Sequence, residues 1–340
     1  MDKRKICTVA LLVCMSAVKV SSQSLSDFSR SNGPLDTSAP GVSAPSASAP
    51  SDESAFLKTV TDEHGFAESS DGACLFYRFW APANGAEPKH IVLVLHGIGL
   101  HSGDYKPTAL ELNKAGIAVY AMDTRGHGLS CGKRANVPEP ATETGDIAIM
   151  LDKIHRLHPH AELFLLGESM GAIFALNYAK ANTPIISGLI LLSPVVSVNP
   201  KQYEQIRMWR YLPDFLFFRD KPDIDLAGRG TATGKADVQA DATSPADPLE
   251  FDKISVNYIL ELRRNKAHWT DTASQVRVPT LIMKGDLDQV SSSGSARRLF
   301  NLIATTDKEY ESYPNLEHSL LSSSEAPDIL NSVSAWIDRH

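Results

Sequence analysis

The sequence contains little cysteine: four residues in 340. Cys7 and Cys14 lie in an apolar run at the N-terminus, so Cys74 and Cys131 remain for the folded part of the chain. This number leaves room for one disulfide there and excludes a scaffold held together by several cross-links.

Blocks of basic residues are also missing beyond the first five positions, and the formal net charge is −7. Proteins that bind nucleic acids place clustered Lys and Arg against the phosphate backbone. We therefore expect no nucleic-acid partner, and a small or neutral partner fits the charge better.

The N-terminal apolar run ICTVALLVCMSAV (6–18) is too short to cross a bilayer comfortably, since about 20 residues are needed. It follows the basic MDKRK and precedes the small residues of KVSSQS. This pattern predicts a signal peptide over 1–22 and a secreted or periplasmic protein, with a buried helix as the alternative. A lipoprotein is not favoured, because Cys14 lacks a small residue before it.

Residues to bury are scarce from 23 to 55, where SAPGVSAPSASAPSDESA is rich in Ser, Ala and Pro. Such a segment cannot offset the entropy that it would lose on ordering. We predict a flexible linker over 23–55.

No internal repeat is present, and from residue 74 short apolar runs alternate with segments of helical period. Nearly continuous apolar runs are typical of parallel strands that are covered on both faces. The alternation predicts an α/β fold, with a mostly parallel central sheet flanked by helices. The predicted strands are 74–80, 90–95, 117–122, 162–166, 188–193, 278–284 and 308–313. Helical stripes lie at Ile147, Met150, Leu151, Ile154 and Leu157, and at Ile329, Leu330, Val333, Trp336 and Ile337.

The alternation stops over 197–270, which we predict to be a cap or lid inserted between two core parts, 56–196 and 271–340. Trp209 and Phe215 belong to the aromatic cluster MWRYLPDFLFF of this insertion. The cluster either faces an apolar pocket beneath a lid or only packs the insertion onto the core. A helix is predicted over 252–264.

Ser169 lies between Gly167 and Gly171 in LLGESMG, after a predicted strand and before a helical run. A serine attacks an acyl carbon only if another group takes its proton and hydrogen-bond donors stabilise the oxyanion. A G-x-S-x-G turn between strand and helix exposes the serine for this role. The pentapeptide by itself fits a small-residue turn equally well.

Partners in a particular order favour the nucleophile. In the α/β-hydrolases an acid and then a histidine follow the serine, each after a later strand. The stretch GDLDQV after 278–284 offers Asp286 and Asp288, and PNLEHSLL after 308–313 offers His318. The only histidine farther downstream is the terminal His340.

Six motifs carry a resemblance to a known family. They are HGIGLHSGDY (96–105), DTRGHGLS (123–130), LLGESMG (165–171), LLSP (191–194), LIMKGDLDQV (281–290) and NLEHSLL (315–321). Over about 60–338 the chain resembles the monoacylglycerol lipase and lysophospholipase group of the α/β-hydrolases. The resemblance implies an α/β-hydrolase fold with a lid, and no cofactor or metal.

The resemblance also implies a role for each site residue. Ser169 would be the nucleophile, His318 the general base and then acid, and Asp288, rather than Asp286, the carboxylate that orients the imidazole. The backbone N–H groups of Ile98 and Met170 would form the oxyanion hole.

Two positions depart from the family pattern. Members commonly carry Glu and Arg in H-G-x-G-E-H-S-x-R-Y, where this chain has Leu100 and Asp104. An apolar side chain and a reversed charge cannot make the same polar contacts, which argues against monoacylglycerol as the ester. We expect Leu100 and Asp104 to contact substrate, together with Trp209 and Phe215.

We expect His127 to be structural, and His155, His158 and His160 to form a solvated cluster rather than a metal site. His127 precedes the serine, and His155, His158 and His160 in HRLHPH lack a Cys or carboxylate at ligand spacing. If strand 74–80 runs antiparallel to its neighbour, Cys74 comes near Cys131, and a disulfide between them is a hypothesis that export would favour.

The predicted function is a serine hydrolase of the lipase or esterase type that cleaves carboxylic esters with an apolar acyl part through an acyl-enzyme. Monoacylglycerol and lysophospholipid are the candidate esters. A thioesterase or an aminopeptidase-like amidase on the same fold is the alternative enzyme. A binding protein with a vestigial site is the alternative of another class. The expected partner is a small-molecule ester or lipid, with transient contact between the lid and a lipid surface.

Overall fold

The computed structural model describes residues 60–82, 85, 87–180, 185–199, 211–226 and 247–340. The predicted signal peptide, the predicted linker and Trp209 lie outside these ranges. Within them, no helix combines the length and the apolar character needed to cross a membrane.

A mostly parallel sheet of eight strands is the centre of the fold. The strands described are β1 Glu63–Glu68, β2 Cys74–Trp80, β3 His90–Leu95, β4 Ala118–Met122, β5 Glu162–Glu168, β6 Gly188–Leu192, β7 Pro222–Asp225, β8 Lys253–Ser255, β9 Thr280–Gly285 and β10 Lys308–Tyr313. The sheet order is β1-β2-β4-β3-β5-β6-β9-β10, with β2 antiparallel to both neighbours and every other pair parallel. The predicted α/β class is confirmed.

Helices cover both faces of this sheet. They are α1 Lys106–Lys114, α2 Pro140–Leu157, α3 Met170–Ala179, α4 Leu212–Phe217, α5 Val256–Asn265, α6 Trp269–Ala273, α7 Ser295–Leu302 and α8 Ala326–Ile337. Ile91, Leu93 and Leu95 of β3 pack in one hydrophobic cluster with residues of α2 and α3. The alternating residues Val92 and Val94 pack in a second cluster with residues of α1 and α8. A strand buried on both faces needs apolar residues at every position, which explains the continuous run in β3.

Two details differ from the sequence prediction. The edge strand β1 was not predicted, because Ala67 is its only buried residue and no apolar alternation marks it. Leu157 was placed on the buried stripe of α2, yet it is 53% exposed because it is the last residue of that helix.

The segment between β6 and β9 contains α4, α5, α6 and the two-stranded antiparallel sheet of β7 and β8. The helix predicted from residue 252 begins at Val256, since Lys253–Ser255 pairs with β7 instead. Ser255 then caps α5 by accepting a hydrogen bond from the backbone N–H of Tyr258.

A disulfide joins Cys74 and Cys131, whose Cα atoms lie 5.1 Å apart. Because β2 runs antiparallel to β4, its first residue lies beyond the end of β4, where the following loop returns. The backbone N–H of Cys131 donates to the carbonyl of Cys74 at 2.8 Å. The cross-link therefore ties the loop after β4 to the start of β2.

Reduction of this disulfide is expected to lower the free energy of unfolding by about 2–4 kcal/mol, since the closed loop spans 57 positions and its release gives entropy to the unfolded chain. Denaturant unfolding with and without reductant measures the change. The Cys74→Ser/Cys131→Ser variant should not respond to reductant. Reaction of both cysteines with a thiol reagent before reduction would contradict the pairing.

Candidate active site

Ser169 lies in a strained turn between the end of β5 and the start of α3. Its backbone has φ 55° and ψ −108°, a conformation that L-residues rarely adopt. A Cβ on Gly167 would overlap the carbonyl oxygen of Gly171, and a Cβ on Gly171 would overlap the carbonyl oxygen of Leu95. The flanking glycines are thus required by the close approach of α3 to β5 and β3, and the turn presents the serine hydroxyl at the carboxyl end of the sheet.

His318 follows β10 and faces the serine. Its Nε2 atom lies 2.8 Å from Ser169 Oγ, and both residues are buried. Its Nδ1 atom lies 3.1 Å from Asp288 Oδ1. The imidazole is therefore positioned to accept a proton from the hydroxyl while its far side faces a carboxylate.

Asp288 follows β9 and is held by several donors. Its carboxylate accepts the Ser291 hydroxyl at 2.6 Å and the backbone N–H groups of Val290 and Ser291 at 2.7 and 3.1 Å. Burial raises the pKa of Asp288, but the hydrogen bonds from His318 and Ser291 and the charges of His318 and Lys284 outweigh it and lower this pKa to about 2. Asp286, the other aspartate of the motif, is exposed.

The predicted oxyanion donors belong to the start of α3 and to the loop after β3. Met170 is the first residue of α3, and Ile98 follows Gly97, where an added Cβ would lie 3.7 Å from Ser169 Cβ. The N–H of a first helical residue has no partner within the helix. Among the described residues, neither backbone N–H donates a hydrogen bond to another backbone group.

Leu100 and Asp104 lie on the loop after β3 and differ in their surroundings. Leu100 is half-buried, and its Cδ1 would lie 3.5 Å from a Cβ on Gly97. The Asp104 carboxylate accepts the backbone N–H of His101 at 2.9 Å and closes a capping box there. Leu100 is thus beside the serine, whereas the Asp104 side chain is engaged in its own turn.

Phe215 in α4 is half-buried and packs against the cluster that contains α2 and α3, with the Arg219 guanidinium over its ring. This contact fits the packing interpretation of the aromatic cluster.

Among the described residues, His127, His155, His158 and His160 make no hydrogen bond to Ser169. His127 is buried, and its Nε2 lies 3.1 Å from the Tyr258 hydroxyl. Burial lowers the pKa of His127 well below its ordinary value, so its ring is neutral at physiological pH. His158 contacts the Tyr120 hydroxyl at 3.0 Å, while His155 and His160 are exposed.

A group of potential metal ligands that the sequence did not indicate is formed by His101, Asp247 and Glu250, with donor atoms within 4.8 Å of one another. His101 Nδ1 accepts the Gly103 N–H at 3.0 Å, and its Nε2 lies 3.2 Å from Asp247. A hydrogen bond between His101 and Asp247 therefore accounts for their proximity without an ion.

The sheet order and the serine at the carboxyl end of β5 define a serine hydrolase with the α/β-hydrolase fold. Residues 86–325, more than two thirds of the chain, match the family described as Serine aminopeptidase, S33 (Hydrolase_4), and the chain belongs to this family.

Several similar proteins are monoacylglycerol or monoglyceride lipases. The chain is 26% identical to a monoacylglycerol lipase of Mycolicibacterium smegmatis, over 84% of this chain and 99% of that protein. It is 29% identical to the human monoglyceride lipase, over 78% and 86% of the two chains. A soluble variant of the Saccharomyces cerevisiae monoglyceride lipase, solved with a substrate analogue, has a similar fold, with a TM-score of 0.69, 23% identity and coverage of 84% and 97%.

Proposed function

We propose that this chain hydrolyses carboxylic esters through a covalent acyl-enzyme, with Ser169 as nucleophile, His318 as general base and acid, and Asp288 as the orienting carboxylate. The chain is an ester hydrolase of small-molecule or lipid substrates. The observation that carries the triad is the 2.8 Å distance between Ser169 Oγ and His318 Nε2, with Asp288 at the far nitrogen.

The steps follow from this geometry. Ser169 Oγ attacks the ester carbon while its proton passes to His318 Nε2, and the carbonyl oxygen becomes an oxyanion that accepts the N–H groups of Ile98 and Met170. His318 protonates the departing alcohol when the intermediate collapses to the acyl-enzyme. Water then attacks the acyl carbon, gives its proton to His318, and the free acid leaves as Ser169 regains its proton.

The substrate is proposed to be an ester with an apolar acyl chain. The similarity to two monoacylglycerol lipases supports an acyl ester, and the family description keeps an amide as the alternative. The half-buried Leu100 beside the serine supports contact with an apolar part of the substrate.

The experiment that tests this function is covalent labelling by a fluorophosphonate, with Ser169→Ala as the control. Labelling of the native protein but not the variant is expected, and an unlabelled native protein would overturn the proposal. A panel of p-nitrophenyl esters of increasing chain length, an acyl thioester and an aminoacyl anilide then compares leaving groups. Faster release from the anilide than from every ester would make the enzyme an amidase.

Contact of a 197–270 lid with a lipid surface is a further part of the proposal. Leu212, Leu216, Phe217 and Phe218 in and after α4 are large apolar side chains with 51–75% exposure. Large apolar side chains exposed together on one short helix support a lipid or protein contact.

The variant Phe217→Ser/Phe218→Ser is expected to lose about 10-fold in binding to neutral phospholipid vesicles, because two aromatic side chains no longer enter the interface. Hydrolysis of a water-soluble short-chain ester should be unchanged. Sedimentation with vesicles measures binding, and Leu157→Ser, which removes a 53% exposed leucine elsewhere, is the matched control. Equal vesicle binding by native protein and double variant would contradict the lipid contact.

Export to a secreted or periplasmic location remains part of the proposal. The basic start of the chain, the apolar run 6–18 and the disulfide between Cys74 and Cys131 support an oxidising compartment. Mass spectrometry of the protein recovered from outside the cytoplasm should give a chain that starts after Ser22. A full-length chain confined to the cytoplasm would contradict export.

A further inference from the structure

A buried hydrogen-bond relay connects the residue before the nucleophile to the loop after β3. Glu168 is the last residue of β5, and its Oε2 accepts the Tyr105 hydroxyl at 2.6 Å. The Tyr105 oxygen in turn accepts the backbone N–H of Gly97 at 3.1 Å. Glu168 is 7% exposed and Tyr105 is 2% exposed, so water does not compete for these bonds.

The chemistry of the two side chains sets the direction of the relay. The Gly97 N–H is a donor, so the single hydroxyl proton of Tyr105 points away from it and to the Oε2 atom of Glu168. The hydroxyl lone pairs then remain for the Gly97 N–H. Burial, followed by the charge of Glu168, raises the pKa of Tyr105 well above its ordinary value, so the hydroxyl keeps its proton.

Glu168 also faces the loop that carries His318. Burial raises the pKa of Glu168 above its ordinary value, although the Tyr105 hydroxyl, the charge of His318 and the Leu321 backbone N–H each act to lower it. The carboxylate at the end of β5 thus contacts Tyr105, after the loop that follows β3, and lies close to the loop that carries His318. These three segments carry the nucleophile, the expected oxyanion donor Ile98 and the general base.

We propose that Glu168 and Tyr105 are positioning residues that anchor the Gly97 N–H, in the peptide just before the one that carries the Ile98 N–H, and so hold the loop with the Ile98 N–H aimed at the oxyanion formed on the carbonyl attacked by Ser169. This inference rests on the proposed function and adds to it residues that do not touch the reacting atoms. The relay stabilises the transition state, in which negative charge develops on the carbonyl oxygen, and it does not contribute to substrate binding.

The test is a double-mutant cycle with Tyr105→Phe and Glu168→Gln. Tyr105→Phe removes the acceptor of the Gly97 N–H, and we expect kcat to fall about 10- to 100-fold with KM within about threefold, less than the loss of a whole oxyanion donor. Glu168→Gln should lower kcat as well, because the amide no longer dictates the direction of the hydroxyl proton. The double variant should be no slower than Tyr105→Phe, since Glu168 acts through Tyr105.

A second readout separates positioning from a general loss of structure. The inhibition constant of a trifluoromethyl ketone, which forms a tetrahedral oxyanion on the serine, should rise in proportion to the loss of kcat/KM in each single variant. Tyr313→Phe is the matched control, because the Tyr313 hydroxyl donates to the Glu311 carboxylate at 2.8 Å in another Tyr–Glu pair. The kcat of this variant should equal that of the native protein.

Three results would overturn the relay: additive losses in the double variant, a change confined to KM, or an unchanged trifluoromethyl ketone constant. If Tyr105→Phe unfolds, the Glu168→Gln comparison alone decides, because it keeps the side-chain volume. Absence of fluorophosphonate labelling of native protein would instead refute the proposed function, so the two failures are distinguishable.

Discussion

Replacing His318 with alanine is expected to lower kcat for a soluble ester by about 10⁴–10⁶-fold while KM changes by less than about fivefold. The imidazole is the only titratable group within hydrogen-bond distance of Ser169 Oγ among the residues that the structure describes. Without it the hydroxyl keeps its proton and remains a poor nucleophile. Steady-state kinetics of the purified variant measure both constants.

The same mechanism predicts how further substitutions combine. Ser169→Ala should be as slow as His318→Ala, and the double variant no slower than either, because the two groups act as one unit. Asp288→Asn should cost about 10³–10⁵-fold, since the amide cannot stabilise the imidazolium as the carboxylate does. His155→Ala, at an exposed position of α2, is the control and should keep native kcat. Independent, multiplying losses at Ser169 and His318 would contradict a shared catalytic unit.

The second large effect concerns Glu143 in α2, a buried carboxylic acid far in sequence from the triad. Its side chain is 1% exposed, and neither carboxyl oxygen forms a hydrogen bond within the described ranges. Burial, and then the neighbouring charge of Asp146, raises the pKa of Glu143 from 4.5 to about 8, against the opposing charge of Arg125. The folded protein therefore holds this proton more tightly than the unfolded chain does.

The sign of the pH dependence follows from that difference. Below pH 4.5 Glu143 is protonated in both the folded and the unfolded chain, and its contribution to stability is fully present. Between pH 4.5 and 8 the unfolded chain has lost this proton while the folded protein still holds it. The contribution is therefore lost as the pH rises through the pKa of the folded protein. The loss amounts to about 3–5 kcal/mol in total. Glu143→Gln removes this titration, so its free energy of unfolding should fall less from pH 5 to pH 9.

Urea unfolding of native protein and Glu143→Gln at pH 5, 7 and 9 measures the effect as the difference between the two proteins at each pH. The comparison cancels the other titrating groups. Glu139→Gln, at an exposed position just before the same helix, is the control and should follow the native pH dependence. Parallel curves for native protein and Glu143→Gln would mean that Glu143 is already ionised in the folded state at pH 5.

Close packing decided features of the site that no pattern in the sequence marked. Tyr105 and Glu168 are 63 positions apart in the sequence, and neither HGIGLHSGDY nor LLGESMG indicates that these two side chains form a hydrogen bond. The burial of Glu143 likewise depends on how α2 meets the neighbouring elements. The hydrogen bond from the His101 N–H to the Asp104 carboxylate was likewise not indicated by the sequence. Such contacts arise from the final positions of side chains, which local periodicity does not specify.

The sequence by itself determined the α/β class and the edge of the sheet at which the chemistry would lie. Continuous apolar runs exclude strands with a solvated face, and parallel strands bring the residues that follow them to a common edge. Ser169, Asp288 and His318 each follow such a strand, so their order predicted that they lie together. In the structure His318 Nε2 is 2.8 Å from Ser169 Oγ, and His318 Nδ1 is 3.1 Å from Asp288 Oδ1. Only the tertiary structure decided the edge strand β1, the start of α5 and the Glu168–Tyr105 relay. Each of these depends on a long-range partner rather than on the local period of the chain.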